Sequence, residues 1–336
     1  MMNAADLSII IVNWNSVAYT TACIASIQST VTDVQYEIIV VDNGSSDNSV
    51  ELLERVAGIR VIASPDNLGF ARANNLGYEH ATGTILLFLN PDTKVHDGAI
   101  SRMRTAVMSS DAIGIVGCRL LNADDSLQTS CVQSFPTILN QLMDVEALKM
   151  RFPLIRMWGI RALFETGRDI SQVEAISGAC LMIRRSLFES VGLFDTEYFM
   201  YCEDVDLCFM AAGAGYQIGY VAGATVTHYG GQSSKQATQS SFATVMGREA
   251  IYKFFAKRRG NMYAKVYSCT MFFSASFRLV VLLLWGLLSP GGERKAITSR
   301  REKWWRILNW SVGRESWARQ LRASACNPAP AVNSPS

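Results

Sequence analysis

Residues 84–93, TILLFLNPDT, decide how the rest of this chain is read. The unbroken apolar run from Ile85 to Leu89 is too short to cross a membrane. It suits a strand buried on both faces of a parallel sheet. The run stops at Asn90-Pro91-Asp92-Thr93, where Pro91 has no N–H to give a sheet ladder. An amide and a carboxylate are thus left at the carboxyl end of a central strand, where open α/β sheets hold their ligands. A carboxylate there can hold a hard divalent cation beside the phosphates of a nucleotide. An Asx turn accounts for the same two residues with no ligand at all. The flanking segments must therefore decide.

Upstream, LSIIIV at 7–12 predicts a first strand, followed by the polar turn Asn13-Trp14-Asn15-Ser16 and a helix over 17–29. A second strand over 36–41 ends at Asp42, and Asn43-Gly44-Ser45-Ser46-Asp47 turns into a helix that ends near Ala57. A third strand covers 59–63. The loop Asn67-Leu68-Gly69-Phe70 opens a helix with Asn74 and Asn75 one turn in. Downstream, a helix over 99–108 and a strand over 113–117 continue the alternation. Strands alternating with helices predict an α/β fold with a mostly parallel central sheet and right-handed crossovers. A dinucleotide-binding fold would carry GxGxxG after strand one, and NWNS carries no glycine. Instead, polar side chains end three strands: Asn13, Asp42, Asn90 and Asp92. A carboxylate at Asp42 can accept from a base N–H or a ribose hydroxyl, and it is equally an ordinary helix cap.

Composition bounds the remaining choices. The chain has 336 residues, 49% of them hydrophobic, with a net charge of +2. That is enough for one large α/β domain with an appendage, and no global field argues for nucleic acid. Eight cysteines form no CxxC pair and lie mostly in apolar runs, which favours reduced thiols in a cytosolic protein over a disulfide frame or a zinc site. The first apolar run lacks a basic leader, so no signal peptide is expected.

Four stretches, SIIIVNWNS, VVDNGSSDNS, NLGFARANN and LLFLNPDT, resemble in order and spacing the amino-terminal half of the inverting family-2 glycosyltransferases of GT-A fold. The NPD variant and the GFARANN loop resemble the rhamnosyltransferase-like branch. Three further stretches, SGACLMIRR, GLFDTEYFMYCEDVDLCFMAAGAGYQI and VTHYGGQS, resemble that family's acceptor-side block over 177–233. Together the two blocks cover close to half of the chain. The resemblance implies a nucleotide-sugar donor, dTDP-rhamnose first and a UDP-sugar second. Asn13, Asp42, Asn43, Gly69, Asn74, Asn90 and Asp92 would lie on the donor side, with Asp42 at the base. It implies that Asp92 and His228 hold Mg2+ or Mn2+ at the diphosphate. It also implies that Asp204 is the catalytic base, with Glu203 and Asp206 supporting it on the acceptor side. Asn90 departs from the family's DxD pattern, and an amide oxygen is the weaker metal ligand. Taken alone, Glu203, Asp204 and Asp206 are an acidic first turn of a helix running to Ala212, which the helix dipole favours. His228, before Gly230-Gly231, would by default be a satisfied surface histidine.

Residues 119–172 are less readable. A small hairpin is expected around Asp124-Asp125, and 137–170 reads as a variable insertion near the acceptor side. Beyond 235 the chain changes character. A helix over 242–259 ends in Lys257-Arg258-Arg259. The apolar stretch over 267–288 approaches the roughly 20 residues of a span but is interrupted by Arg278. Basic residues on both sides and Trp304, Trp305 and Trp317 favour monotopic attachment to an anionic membrane surface. A true span and an apolar helix packed on the catalytic domain are the rivals. The expected organisation is a transferase domain over 1–235, a helical membrane-associating region over 236–326 and a disordered Pro/Ala/Ser-rich tail over 327–336.

The function expected from these residues is inverting transfer of a sugar to a lipid-linked or cell-surface polysaccharide acceptor, at the cytoplasmic face of the plasma membrane. A nucleotidyltransferase would want a Gly-rich, basic loop after strand one, which NWNS does not supply. A non-catalytic binding scaffold has only Asn90 in its favour.

Overall fold

The computed structural model describes residues 5–143, 146–165, 167–230, 237–288, 294–315 and 317. The tail expected over 327–336 and Gly231 lie outside these described residues. The chain groups into two compact units. One comprises Met1–Phe135, Val145–Phe199 and Glu203–Ser233, and the other comprises Pro136–Asp144, Met200–Cys202 and Ser234–Ser336.

The first unit alternates as expected: β1 (Leu7–Asn13), α1 (Val17–Thr30), β2 (Tyr36–Asn43), α2 (Ser49–Glu54), β3 (Arg60–Ser64), α3 (Phe70–Glu79) and β4 (Ile85–Leu89). It continues through β5 (Thr93–Val95), α4 (Ala99–Met108) and β6 (Ile113–Leu121). In the central sheet the order β3-β2-β1-β4 is parallel throughout, and every residue of β1 and β4 is buried. This is why Ile9–Val12 and Ile85–Leu89 read as unbroken apolar runs. The expected hairpin around Asp124-Asp125 exists as a tight turn after β6, closed by an antiparallel bridge between Leu121 and Leu127, with Asp125 left-handed at φ 62°.

The second half of this unit contributes β7 (Val132–Gln133), β8 (Ile170–Val173), β9 (Ala175–Ile176), β10 (Cys180–Arg184) and β11 (Gln217–His228). Two pairings build the site. β10 inserts antiparallel between β4 and β6, with Cys180 opposite Leu89. The segment that enters β10 therefore lies against the carboxyl end of β4, and Asn90 N–H donates to the Ala179 carbonyl at 3.0 Å. β5 then pairs antiparallel with the end of β11, with Thr93 opposite His228. An interlocked cluster of Phe88, Phe188 and Phe194, with ring centroids 4.7–5.3 Å apart, ties 188–194 to β4. The buried thiols of Cys23 and Cys208 are pushed up to about 12 by desolvation, so both are protonated packing groups.

In the second unit, a short helix (residues 138–142) accompanies three long ones. These are Ala237–Arg258, Asn261–Leu288 and Arg294–Ser311, here called αX, αY and αZ. αZ runs back along αY. Arg278 lies over the Trp304 ring at 4.4 Å, Gly286 sits near Ile297, and Ser268 Oγ donates to the Ser311 carbonyl. Trp310 Nε1 donates to the buried Glu249 at 2.8 Å, which joins αZ to αX. Arg278, read in the sequence as an interruption of an apolar stretch, donates to the Leu142 carbonyl at 2.9 Å. Its charge is thus held on the packed face of αY. The opposite face carries Met262, Val266, Phe273, Phe277, Val280 and Leu284, a stripe of exposed apolar side chains; Phe273 and Phe277 are each 70% exposed.

Candidate active site

Three groups of the expected residues meet at the carboxyl ends of β1, β2 and β4. In the first, Asn13 and Asp42 are opposite each other in the parallel pair β1–β2. Asn13 Nδ2 donates to Asp42 Oδ2 at 2.7 Å, and its Oδ1 accepts from Thr20 Oγ1 at 2.6 Å and Ser16 Oγ at 3.1 Å. Ser45 closes the other side of the carboxylate through its hydroxyl at 2.7 Å and its N–H at 3.0 Å. Asn13 is fully enclosed and its carboxamide is engaged on both sides. Its geometry is that of a residue that aims Asp42.

In the second group, Asn43 staples the loop before α3. Its Oδ1 accepts from Leu68 N–H at 2.8 Å and its Nδ2 donates to Asn67 Oδ1 at 3.0 Å. Gly69 follows with φ 80°, and a Cβ there would meet the Phe199 carbonyl oxygen at 2.5 Å. No other residue fits that approach. Asn74 is buried and bonds the Phe70 carbonyl at 2.9 Å, while Asn75 holds the Phe194 backbone.

The third group is Asn90, Asp92 and His228. Pairing of β5 with β11 brings His228 Nε2 to 3.3 Å from Asp92 Oδ1 and 3.2 Å from Asn90 Nδ2. His228 Nδ1 is 2.8 Å from Gln128 Oε1. Nothing in the sequence points to Gln128 as a neighbour of this site. It arrives through the turn after β6, one hundred residues away in the chain from His228.

Beside Asn90, on the segment that enters β10, Gly178 N–H donates to Asp204 Oδ2 at 2.7 Å. A Cβ at Gly178 would sit 3.3 Å from the Asp204 Cβ, so the bare glycine allows the approach. Asp204 lies in the first turn of a helix, Glu203–Gly213, and its Oδ1 accepts from Val205 N–H at 2.8 Å. Desolvation raises its pKa above the ordinary 3.8, and the two backbone N–H groups limit the rise. Glu203 is buried, its Oε2 has no hydrogen-bond partner among the described residues, and burial with the adjacent Asp204 charge pushes its carboxyl well above the usual range. Asp206 is buried on the same helix.

The donor set fits a divalent cation only in part. Asp92 and His228 supply an oxygen and a nitrogen, with the Asn90 amide alongside. No group of three or more His, Cys, Asp or Glu side chains able to hold a metal occurs among the described residues. Such a pair suits an ion that takes its remaining ligands from a bound diphosphate and water.

The family profile described as Glycosyl transferase family 2 matches residues 8–192, more than half of the chain, from Ser8 in β1 through β10. This chain is a family-2 glycosyltransferase. The N-acetylglucosaminyl-diphospho-decaprenol L-rhamnosyltransferase of Mycobacterium tuberculosis is 28% identical over 249 residues, 70% of this chain and 79% of that protein. The rhamnosyltransferase WbbL of Escherichia coli is 27% identical over 238 residues, 68% of this chain and 84% of its own. Among solved structures, the Pyrobaculum calidifontis mannosyltransferase PcManGT, in complex with GDP-Man and Mn2+, aligns with a TM-score of 0.57 at 14% identity. That alignment covers 94% of this chain and 89% of the mannosyltransferase. GalNAc-T7, with UDP, GalNAc and Mn2+, aligns with a TM-score of 0.52 at 14% identity, over 76% of this chain and 52% of its own. At that identity the likeness is one of fold, and it places the glycosyltransferase in the GT-A class.

Proposed function

We propose that this glycosyltransferase moves rhamnose from dTDP-rhamnose to a lipid-linked acceptor, with inversion at the transferred carbon and Asp204 as the general base. The observation that carries the reading is the neighbourhood of two unlike acid sites. Asp92 and His228 close the end of β4, and Asp204 bonds the segment hydrogen-bonded to Asn90. The relatives from M. tuberculosis and E. coli named as rhamnosyltransferases support the sugar, and the decaprenol-linked name of the first supports the acceptor class. A UDP-sugar is the second candidate donor.

In this reading Asp42, aimed by Asn13 and Ser45, receives the base or ribose of the donor. Asn43 and Gly69 shape the loop beside it, and Asn74 braces that helix from within. Asp92 and His228 would hold Mg2+ or Mn2+. A bound cation supplies charge neutralisation as the diphosphate leaves. Each Asp204 oxygen accepts one backbone N–H and keeps a lone pair for the acceptor hydroxyl. Partial desolvation makes this carboxylate a stronger base than a solvated one. A single base opposite the leaving group gives direct displacement. Burial disfavours the charged form of Glu203 beside the base, and the buried Asp206 supports the helix.

The membrane partner is read from αY and αZ. αY is the one helix among the described residues long and apolar enough to span a bilayer, at 28 residues or about 42 Å. Its apolar half lies beside αZ residues 297–304, which include the exposed Arg300, Arg301 and Lys303. Carried to the bilayer centre, each of these cations would cost about 2.5–3.5 kcal/mol. Lying in the interface, the same charges meet anionic headgroups while Phe273 and Phe277 enter the acyl boundary. These features support a monotopic arrangement, which we assign to the cytoplasmic face, where a nucleotide-sugar donor would be met.

A donor screen tests the function. Purified full-length protein in detergent is given dTDP-, UDP- and GDP-sugars with a polyprenyl-diphosphate-linked sugar acceptor, and product is scored by mass. Transfer from dTDP-rhamnose is expected. Transfer from a UDP- or GDP-sugar in preference to it overturns the donor assignment.

A further inference from the structure

The turn after β6 holds a hydrogen-bonded chain whose direction is fixed at one end. Asp124 Oδ1 accepts from Ser126 Oγ at 2.6 Å and Ser126 N–H at 3.1 Å. These bonds hold the Asp124 carboxyl below its ordinary 3.8, so it is ionised and can only accept. The single Ser126 hydroxyl proton therefore points at Asp124. Ser126 Oγ must then accept from its other neighbour, Asn122 Nδ2, at 2.9 Å. That orients the Asn122 amide and leaves its Oδ1 to accept from Gln128 Nε2 at 3.0 Å. The Gln128 amide is oriented in turn, with Oε1 facing His228 Nδ1 at 2.8 Å. An amide oxygen has no proton to give, so the ring nitrogen must be the donor.

We infer that Gln128 is a positioning residue that fixes the tautomer of His228, keeping the proton on Nδ1 and the Nε2 lone pair directed at Asp92 and Asn90. The relay Asp124–Ser126–Asn122–Gln128 supplies the polarity, and the pairing of β5 with β11 supplies the place. The consequence is specific. Two electron-pair donors, Asp92 Oδ1 and His228 Nε2, face each other at 3.3 Å, the arrangement that a cation joins. With the proton on Nε2 the imidazole could not be a ligand from that side. The consequence for cation binding rests on the proposed role of Asp92 and His228, whereas the tautomer itself does not.

The test uses the full chain in detergent with 15N-labelled histidine, of which there are three. Ring-nitrogen spectra are recorded as a function of pH, and the tautomer is read where the ring is neutral. His228 is assigned from the signal lost in His228→Asn. The wild type is expected to show protonated Nδ1 and bare Nε2. Gln128→Leu, which removes the acceptor, is expected to move the proton toward Nε2. Gln128→Glu, which keeps an acceptor at the same reach, is expected to retain the wild-type pattern and shows that the site still folds. Mn2+ titration followed by electron paramagnetic resonance is expected to show affinity weakened about 10- to 100-fold in Gln128→Leu and largely kept in Gln128→Glu. A wild-type His228 protonated on Nε2, or a tautomer unchanged in Gln128→Leu, overturns the inference. The expected tautomers with no Mn2+ binding by the wild type would uphold Gln128 and overturn the cation role of Asp92 and His228 instead.

Discussion

Replacing Asn13 with alanine should destabilise the catalytic unit far more than its position at a strand end suggests. The side chain is fully buried, and its Nδ2 is a close donor to the equally buried Asp42 carboxylate. A hydrogen bond to a charged group contributes about 1.5–3 kcal/mol, and losing it leaves a carboxylate short of a donor without water to replace it. On the other side Thr20 loses its 2.6 Å acceptor but retains the Ser16 carbonyl at 3.2 Å, so that loss is partial. The sum is about 2–4 kcal/mol. Ser16→Ala removes only the longer bond to the same oxygen and should cost about 0.5–1.5 kcal/mol. Urea denaturation of the full chain, with donor affinity measured in parallel, checks both. Asn13→Ala costing no more than Ser16→Ala would refute the view that Asn13 orders the Asp42 carboxylate. Asn13→Asp should be worse and pH-dependent. Two facing carboxylates would share a proton in the folded state, so stability should fall as pH rises above the ordinary carboxylate range.

Chelator should suppress turnover and Mn2+ or Mg2+ restore it, with Asp92→Ala and His228→Ala insensitive to the addition; full activity in excess chelator would contradict the cation reading. The raised pKa of Asp204 in the free protein predicts that kcat/KM falls as pH drops, with its acid limb above the ordinary 3.8 of an aspartate, and a pH profile flat down to that value would exclude Asp204 as the base. Glu203 has a folded pKa well above 4.5, so the native state binds the extra proton, and stability is highest at low pH and falls as pH rises toward the folded value. Glu203→Gln should flatten that slope in denaturation curves taken from pH 5 to pH 9, and an unchanged slope would show that Glu203 is not its source. Phe273→Glu with Phe277→Glu should release the protein from anionic vesicles into the supernatant, whereas high salt alone should release little, because the apolar contribution is not screened.

β1, β2 and β4 are legible in the sequence because a strand buried on both faces leaves a run of apolar residues and ends where Pro91 or a polar turn stops it. Asn13, Asp42, Asn90 and Asp92 stand out for the same reason, as polar residues at the ends of apolar runs. The partnership of Asp92 with His228 is visible only through resemblance. It depends on β5, a three-residue strand that pairs only with β11 among the described residues, and three residues carry no periodicity. Gln128 leaves no signal at all, since one polar residue after a turn looks like any other. The inward direction of Asn13 is equally hidden, because Thr20 and Ser45 reach it from separate loops and helices. Arg278 misleads in the opposite sense. It breaks the hydropathy of αY, yet the Leu142 carbonyl and the Trp304 ring satisfy it on the packed face.

The most direct test of the central claim is the product formed by wild type and by Asp204→Asn from dTDP-rhamnose and a polyprenyl-diphosphate-linked sugar. The anomeric configuration of the new bond is read by NMR. The wild type should form a rhamnoside opposite in configuration to the donor, and Asp204→Asn, which keeps the shape but cannot take the proton, should bind donor within a few-fold and form none. A rhamnoside of retained configuration, or substantial transfer by pure Asp204→Asn, would contradict a single displacement with Asp204 as the base.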